Sequence, residues 1–252
     1  MTELQLVPGA EPWSAEGGRA GALCLHGFTG NPGSMRGLAE AFAAAGFTVE
    51  LPRLPGHGTT VEEMMTTGWA DWIAEVEAAY QRLAARTDKV VVSGLSMGGS
   101  LTLWTALQHP EVAGIVCINP ATKPQPAELM EMVHGMVDDG TDVMPGIGAD
   151  IADPDATESA YEQTPLRPLI SLVEDGLASL SGRYSEITCP LLLLTSPQDH
   201  VVEPSNGDFL AETFGGPVER ISLERSYHVA TLDFDKDVIF EAAVAFGRKV
   251  TG

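Results

Sequence analysis

The segment Lys89-Val-Val-Val-Ser-Gly-Leu-Ser96-Met-Gly-Gly-Ser-Leu-Thr-Leu-Trp104 constrains this chain more than any other. Val90 to Val92 form a β-branched run that predicts a buried strand, and Leu101, Leu103 and Leu107 continue at helical spacing. Between them, Gly94-Leu-Ser96-Met-Gly98 reads as G-x-S-x-G, a sharp turn from strand to helix. A serine there sits in a strained backbone conformation that lifts its hydroxyl clear of the sheet. Glycines two before and two after remove β-carbons that would clash as strand and helix close up. The helix N-terminus behind Ser96 favours negative charge developing beside it. Ser96 is therefore the candidate nucleophile. The pattern arises by chance in about one chain in ten of this length, given ordinary Gly and Ser frequencies, so its surroundings decide.

Upstream, Ala22 to Leu25 predict another buried strand, running straight into His26-Gly-Phe28-Thr-Gly30. Acyl transfer through a serine creates an oxyanion, which needs two backbone N–H donors aimed at one point. Met97, following the nucleophile, is one candidate donor, and Phe28, flanked by glycines, is the other. His26 is expected to shape that loop, not to transfer protons. Downstream, a strand at residues 191–194 leads into a loop carrying Asp199, and a strand at residues 219–223 leads into Ser226-Tyr-His228. Nucleophile, acid and base thus follow one another as Ser96, Asp199 and His228, each on a loop after a strand. All three can converge at one edge of a parallel sheet.

Rival acids are Glu203, Asp233 and Asp235; the last two read as N-terminal caps for a helix at residues 238–249. His57, in the turn Pro55-Gly-His-Gly58, reads as a loop anchor. His109 falls near a helix C-terminus, His134 in a methionine-rich segment, and His200 lacks the context of His228. No H-x-H, H-E-x-x-H or C-x-x-C pattern is present, so no metal site is expected.

With 252 residues, 44% of them hydrophobic, the chain can bury a full core as one domain with an insertion. The net charge of −21 repels nucleic acid and anionic lipid surfaces, so neither is an expected partner, and it favours release of an anionic product. Cys24, Cys117 and Cys189 fall in or beside predicted strands and read as small core residues. The opening residues show no basic stretch followed by an apolar one, and no run of about 18 apolar residues occurs. A cytoplasmic protein without a transmembrane segment is the expectation.

Strands alternate with helices at about residues 35–45 and 69–85, the second carrying the stripe Trp69, Trp72, Ile73, Val76, Tyr80 and Leu83. This predicts an α/β protein: a mostly parallel central sheet with helices on both faces. The alternation stops over residues 121–185, which read as short helices joined by turns. That segment is expected to form a cap over the triad, inserted into a core of residues 1–120 and 186–252. Its methionines, Met130, Met132, Met136 and Met144, would make an adaptable acyl pocket.

Several motifs resemble those of the bacterial monoacylglycerol lipases and the allied small carboxylesterases. They are His26-Gly-Phe-Thr-Gly-Asn-Pro-Gly-Ser-Met-Arg36, Leu51-Pro-Arg-Leu-Pro-Gly-His-Gly-Thr59, Gly94-Leu-Ser-Met-Gly-Gly99, Gln198-Asp-His-Val-Val202 and Ser226-Tyr-His-Val-Ala-Thr-Leu-Asp233. The resemblance runs from about residue 20 to the end. It implies an α/β-hydrolase fold with a small inserted cap, the triad Ser96, Asp199 and His228, oxyanion donors Phe28 and Met97, and no cofactor. Within the cap, the stretch from Ile147 to Pro165 is similar to the monoacylglycerol lipase version. Asn119 and Glu158 match positions such lipases use near the glycerol hydroxyls, and Ile147 matches a pocket wall. Residues 129–144 show no clear match. The expected function is hydrolysis of monoacylglycerols, small lipid ester substrates, to glycerol and fatty acid through an acyl-enzyme. A broader short- to medium-chain carboxylesterase is the alternative, and the intact Ser96, Asp199 and His228 argue against a non-catalytic binding protein.

Overall fold

Buried β-branched and leucine-rich runs assemble into the central sheet of the computed structural model, which describes residues 5–146 and 148–252. In chain order the first elements are β1 (Trp13–Ala15), β2 (Ala20–Leu25), α1 (Gly33–Ala44), β3 (Thr48–Leu51), α2 (Val61–Met64), α3 (Trp69–Ala84), β4 (Lys89–Leu95), α4 (Met97–Gln108) and β5 (Gly114–Ile118). An excursion then carries α5 (Ala127–Asp138), β6 (Val143–Pro145), β7 (Gln163–Pro165), α6 (Leu166–Ser171), a π-helical turn (Leu172–Leu177) and α7 (Ala178–Leu180). The chain returns with β8 (Leu191–Thr195), α8 (Ser205–Thr213), β9 (Val218–Ser222) and α9 (Lys236–Thr251). Among the described residues, no helix is long and apolar enough to cross a membrane.

Seven strands pair in the order β1-β3-β2-β4-β5-β8-β9, and only β1 runs antiparallel to its neighbour. The register pairs Leu25 with Gly94, Leu95 with Ile118, Ile118 with Leu194, and Thr195 with Ser222. The carboxyl ends of β2, β4, β5, β8 and β9 therefore share one edge, and the loops that follow them gather there. The central strands are buried and mostly apolar along nearly their whole length because helices cover both faces. On one face α1 and α9 pack Phe42, Ile239 and Phe246 against the sheet, joined by Phe47 from the turn before β3. On the other, α3 and α4 contribute Trp72, Val76, Leu83 and Leu101.

Helix α3 matches its sequence periodicity: Trp69, Trp72, Val76, Tyr80 and Leu83 are buried. Its N-cap is Gly68, which has no side chain to offer. Instead Ser171 Oγ, from the excursion, accepts a hydrogen bond from the Trp69 N–H at 3.0 Å, and Asp71 Oδ2 accepts from the Gly68 N–H at 3.0 Å. The antiparallel β6–β7 ribbon, Val143 opposite Pro165, was not expected from the sequence. Each strand is three residues long and ends in proline, so neither carries an alternating pattern.

Asp233 and Asp235 do not cap α9 through their side chains. Asp235 occupies the N-cap position, but its carboxylate accepts from the Arg225 N–H at 2.9 Å and Ser226 Oγ–H at 3.0 Å. The fully buried Asp233 accepts four backbone N–H groups, from Ala152 (2.8 Å), Asp153 (3.0 Å), Tyr227 (2.8 Å) and Phe234 (2.8 Å). Both carboxylates hold the loop that carries His228. An amide at 233 would turn an NH2 group toward two of those donors. Asp233→Asn should therefore lower stability by about 3 kcal/mol, well above the ~1 kcal/mol of a lost cap. Urea unfolding of the two proteins measures this, and a loss near the cap value would contradict the four-donor arrangement.

Candidate active site

Ser96 stands between β4 and α4 with φ 58° and ψ −120°, a conformation that non-glycine residues rarely adopt. Its backbone is held on both sides: the Ser96 N–H donates to the Ile118 carbonyl at 2.9 Å, and its carbonyl accepts from the Gly99 N–H at 2.8 Å. A β-carbon at Gly94 would collide with the Gly98 carbonyl, and one at Gly98 with the Leu25 carbonyl. The two glycines permit the turn, and the turn presents the hydroxyl.

Asp199 and His228 meet although 29 residues separate them. Asp199 Oδ2 lies 2.7 Å from His228 Nδ1, and both side chains are buried. The other carboxylate oxygen, Oδ1, accepts the N–H groups of Val201 at 2.9 Å and Val202 at 2.8 Å, which fixes the plane of the carboxylate. With Nδ1–H donated to Asp199, Nε2 is left as an acceptor. Ser96 and His228 face the same cavity, of about 440 Å³, between the sheet edge and the excursion. Among the described residues Ser96 Oγ makes no hydrogen bond to the His228 ring, so the structure brings the two to one cavity without closing that contact. The rival acid Glu203 is exposed, and Asp233 and Asp235 are committed to backbone donors.

The Phe28 and Met97 backbone N–H groups donate to no other described residue. The chain passes close by at Gly27, where a β-carbon would come within 3.3 Å of Ser96 Cβ. His26 shapes this loop as a neutral imidazole: Nδ1 donates to the Gly27 carbonyl at 3.0 Å, and Nε2 accepts the Leu54 N–H at 3.2 Å. Burial holds its pKa well below the usual histidine value. His57 anchors the adjoining turn through Nδ1 to the Pro55 carbonyl at 3.0 Å, and burial pushes its pKa down to about 4. Thr29, which follows Phe28, has φ 60°, and its carbonyl accepts from the Tyr161 N–H at 3.1 Å. The Tyr161 hydroxyl donates to the Gly56 carbonyl at 2.8 Å and accepts the Thr59 N–H at 2.9 Å. Tyr161 thus ties the excursion to this loop, and nothing in the local sequence pattern marks it.

The expected head-group residues separate in the structure. Glu158 lines the cavity, with Oε1 packed where a β-carbon at Gly30 would stand 3.0 Å away. It has no hydrogen-bond partner among the described residues, and burial pushes its carboxyl pKa above the usual range, offset in part by His228. Asn119 does not face the cavity, which corrects the expectation that it meets a substrate hydroxyl. Its Oδ1 accepts the Ser196 N–H at 2.7 Å, and the two hydrogens of its Nδ2 are shared among Ser196 Oγ (3.0 Å), the Tyr227 carbonyl (3.2 Å) and the His228 carbonyl (2.8 Å). Asn119, at φ 42°, braces the acid and base loops from behind. Ile147 lies outside the described residues.

A serine elbow at the carboxyl edge of such a sheet defines an α/β hydrolase, and this chain is a serine hydrolase of that fold. Residues 18–235 match the family described as serine aminopeptidase, S33, and the chain belongs to it. It is 44% identical over 253 residues, 99% of each chain, to the thermostable monoacylglycerol lipase of Bacillus sp. (strain H-257). It is 26% identical to a carboxylesterase of Bacillus subtilis (strain 168), over 95% of this chain and 97% of that one. A solved structure described as LipS and LipT, two metagenome-derived lipolytic enzymes, superposes with a TM-score of 0.91 at 44% identity, covering 97% of this chain and 100% of that one.

Proposed function

We propose that this enzyme hydrolyses monoacylglycerols to glycerol and a fatty acid. Ser96 Oγ attacks the ester carbonyl while His228 Nε2 takes its proton. The oxyanion forms between the Phe28 and Met97 N–H groups, and His228 then protonates the departing glycerol. Water, activated by the same imidazole, releases the acid. Asp199 keeps the imidazole in the tautomer that can accept and stabilises it when charged. The acyl chain lies among the apolar lining of the excursion, where Met130, Met132, Met136 and Met144 can repack around chains of different length.

The observation that carries the head-group reading is Glu158, a carboxyl without a hydrogen-bond partner among the described residues, in a mostly apolar cavity that it shares with His228. Two free hydroxyls entering such a site need buried polar partners, and a carboxyl supplies acceptors for both. Glu158→Gln should lower kcat/KM for a monoacylglycerol by roughly 10- to 150-fold, the value of about 1.5–3 kcal/mol for a hydrogen bond to a charged group. A p-nitrophenyl ester of the same acid, which lacks the hydroxyls, should lose far less. Melting temperature should hold or rise, because the substitution removes a carboxylate that burial disfavours. The 26% identical carboxylesterase favours the second reading, a broader short- to medium-chain esterase. Equal activity of Glu158→Gln and the parent on both substrates would make that reading the better one.

A further inference from the structure

We propose that Asp150, a carboxylate on the excursion between β5 and β8, is a positioning residue that sets where His228 stands. The proposal rests on His228 as the general base. Asp150 Oδ2 accepts two backbone N–H groups, those of His228 and of His200, each at 3.1 Å. Oδ1 lies 2.8 Å from His200 Nδ1, and the Asp150 carbonyl accepts the Val229 N–H at 3.0 Å. A single oxygen thus bridges the base itself and the residue that follows Asp199. The His200 ring stands edge-on to Tyr227 at 4.6 Å between centroids, closing the bracket on the residue before His228. A second carboxylate runs in the opposite direction: Asp233 accepts from Ala152 and Asp153 on the excursion and from Tyr227 on the base loop.

The base loop needs this support because it follows β9, the outermost strand of the sheet, which has a neighbour on one side only. Asp199 holds the far end of the His228 side chain through Nδ1. Asp150 holds the near end, at the backbone. Fixing both ends sets where Nε2 stands in the cavity it shares with Ser96, and displacements of about 1 Å in such an arrangement cost about 100-fold in rate. An amide in place of Asp150 removes the negative charge that the His228 and His200 N–H groups share, and its NH2 obliges His200 Nδ1 to accept instead of donate.

The test compares the full-length parent with Asp150→Asn by p-nitrophenyl ester kinetics per phosphonate-titrated site and thermal melting. It also follows the downfield proton resonance of His228 Nδ1–H. Positioning predicts a fall in kcat of about 30- to 100-fold with KM within about twofold, and a shifted or broadened resonance. A lower melting temperature with kcat per titrated site and the resonance unchanged would reduce Asp150 to a structural role and overturn the proposal. Should Asp150→Asn fail to fold, His200→Ala takes its place, since that side chain is 58% exposed and its loss removes the partner of Asp150 Oδ1 while leaving the backbone in place. It should lower kcat a few-fold and move the same resonance, and an unchanged kcat and resonance would overturn the proposal. In the same assay, an active His228→Ala would overturn the reading of the base and the positioning role with it. An inactive His228→Ala beside a fully active Asp150→Asn would overturn the positioning role alone.

Discussion

Ser96→Ala should lower kcat by about 10⁵- to 10⁶-fold, the scale seen when the nucleophile of a triad is removed, while leaving the fold in place. The loss is large because the serine makes and breaks the covalent bond; what remains is binding and the oxyanion donors. Stability should be unaffected. Ser96 is 9% exposed, and its hydroxyl has no hydrogen-bond partner among the described residues, so its removal orphans nothing. The strained turn is built by Gly94, Gly98 and the backbone bonds to Ile118 and Gly99, none of which involves the hydroxyl. A serine-directed phosphonate followed by mass spectrometry should label Ser96 in the parent and nothing in the variant. Labelling that survives the substitution would place the nucleophile elsewhere.

The second large effect belongs to Asp199→Asn, with an expected fall in kcat of about 10⁴-fold, the cost of the equivalent change in a serine protease. The geometry here says which way the amide would turn. Position Oδ1 receives the Val201 and Val202 N–H groups, so the asparagine must keep its oxygen there. Its NH2 then points at His228 Nδ1, where Asp199 Oδ2 lies 2.7 Å away in the parent. The imidazole can meet an NH2 donor only by carrying its own proton on Nε2, and an Nε2–H cannot accept the proton of Ser96. Substrate affinity and melting temperature should change far less than kcat. A loss under about tenfold would remove Asp199 from the role of orienting acid.

The chain alone displayed the features that local backbone geometry dictates. Glycines at 94 and 98 around Ser96 predict a turn that only such spacing allows, and the turn stands between β4 and α4. The apolar stripe from Trp69 to Leu83 predicts α3 to within a residue of its end. Runs of buried β-branched and leucine residues mark the parallel strands, and the order of the loops behind them places Ser96, Asp199 and His228 at one edge. Periodicity and glycine placement report on neighbours within a few positions along the chain, and these features are all of that kind.

Tertiary structure decided where the polar side chains spend their hydrogen bonds. By resemblance Asn119 is expected to meet a substrate hydroxyl; only packing beside Ser196 and His228, 77 and 109 residues away, commits it to bracing their loops instead. Asp233 and Asp235 precede a helix and look like caps, yet burial beside the base loop offers them several backbone donors that otherwise would go unpaired. The bridge from Asp150 to His228 spans 78 residues and leaves no pattern at all. A buried polar group takes whichever partner folding brings within reach, and that choice is made between segments that know nothing of one another until the sheet has closed.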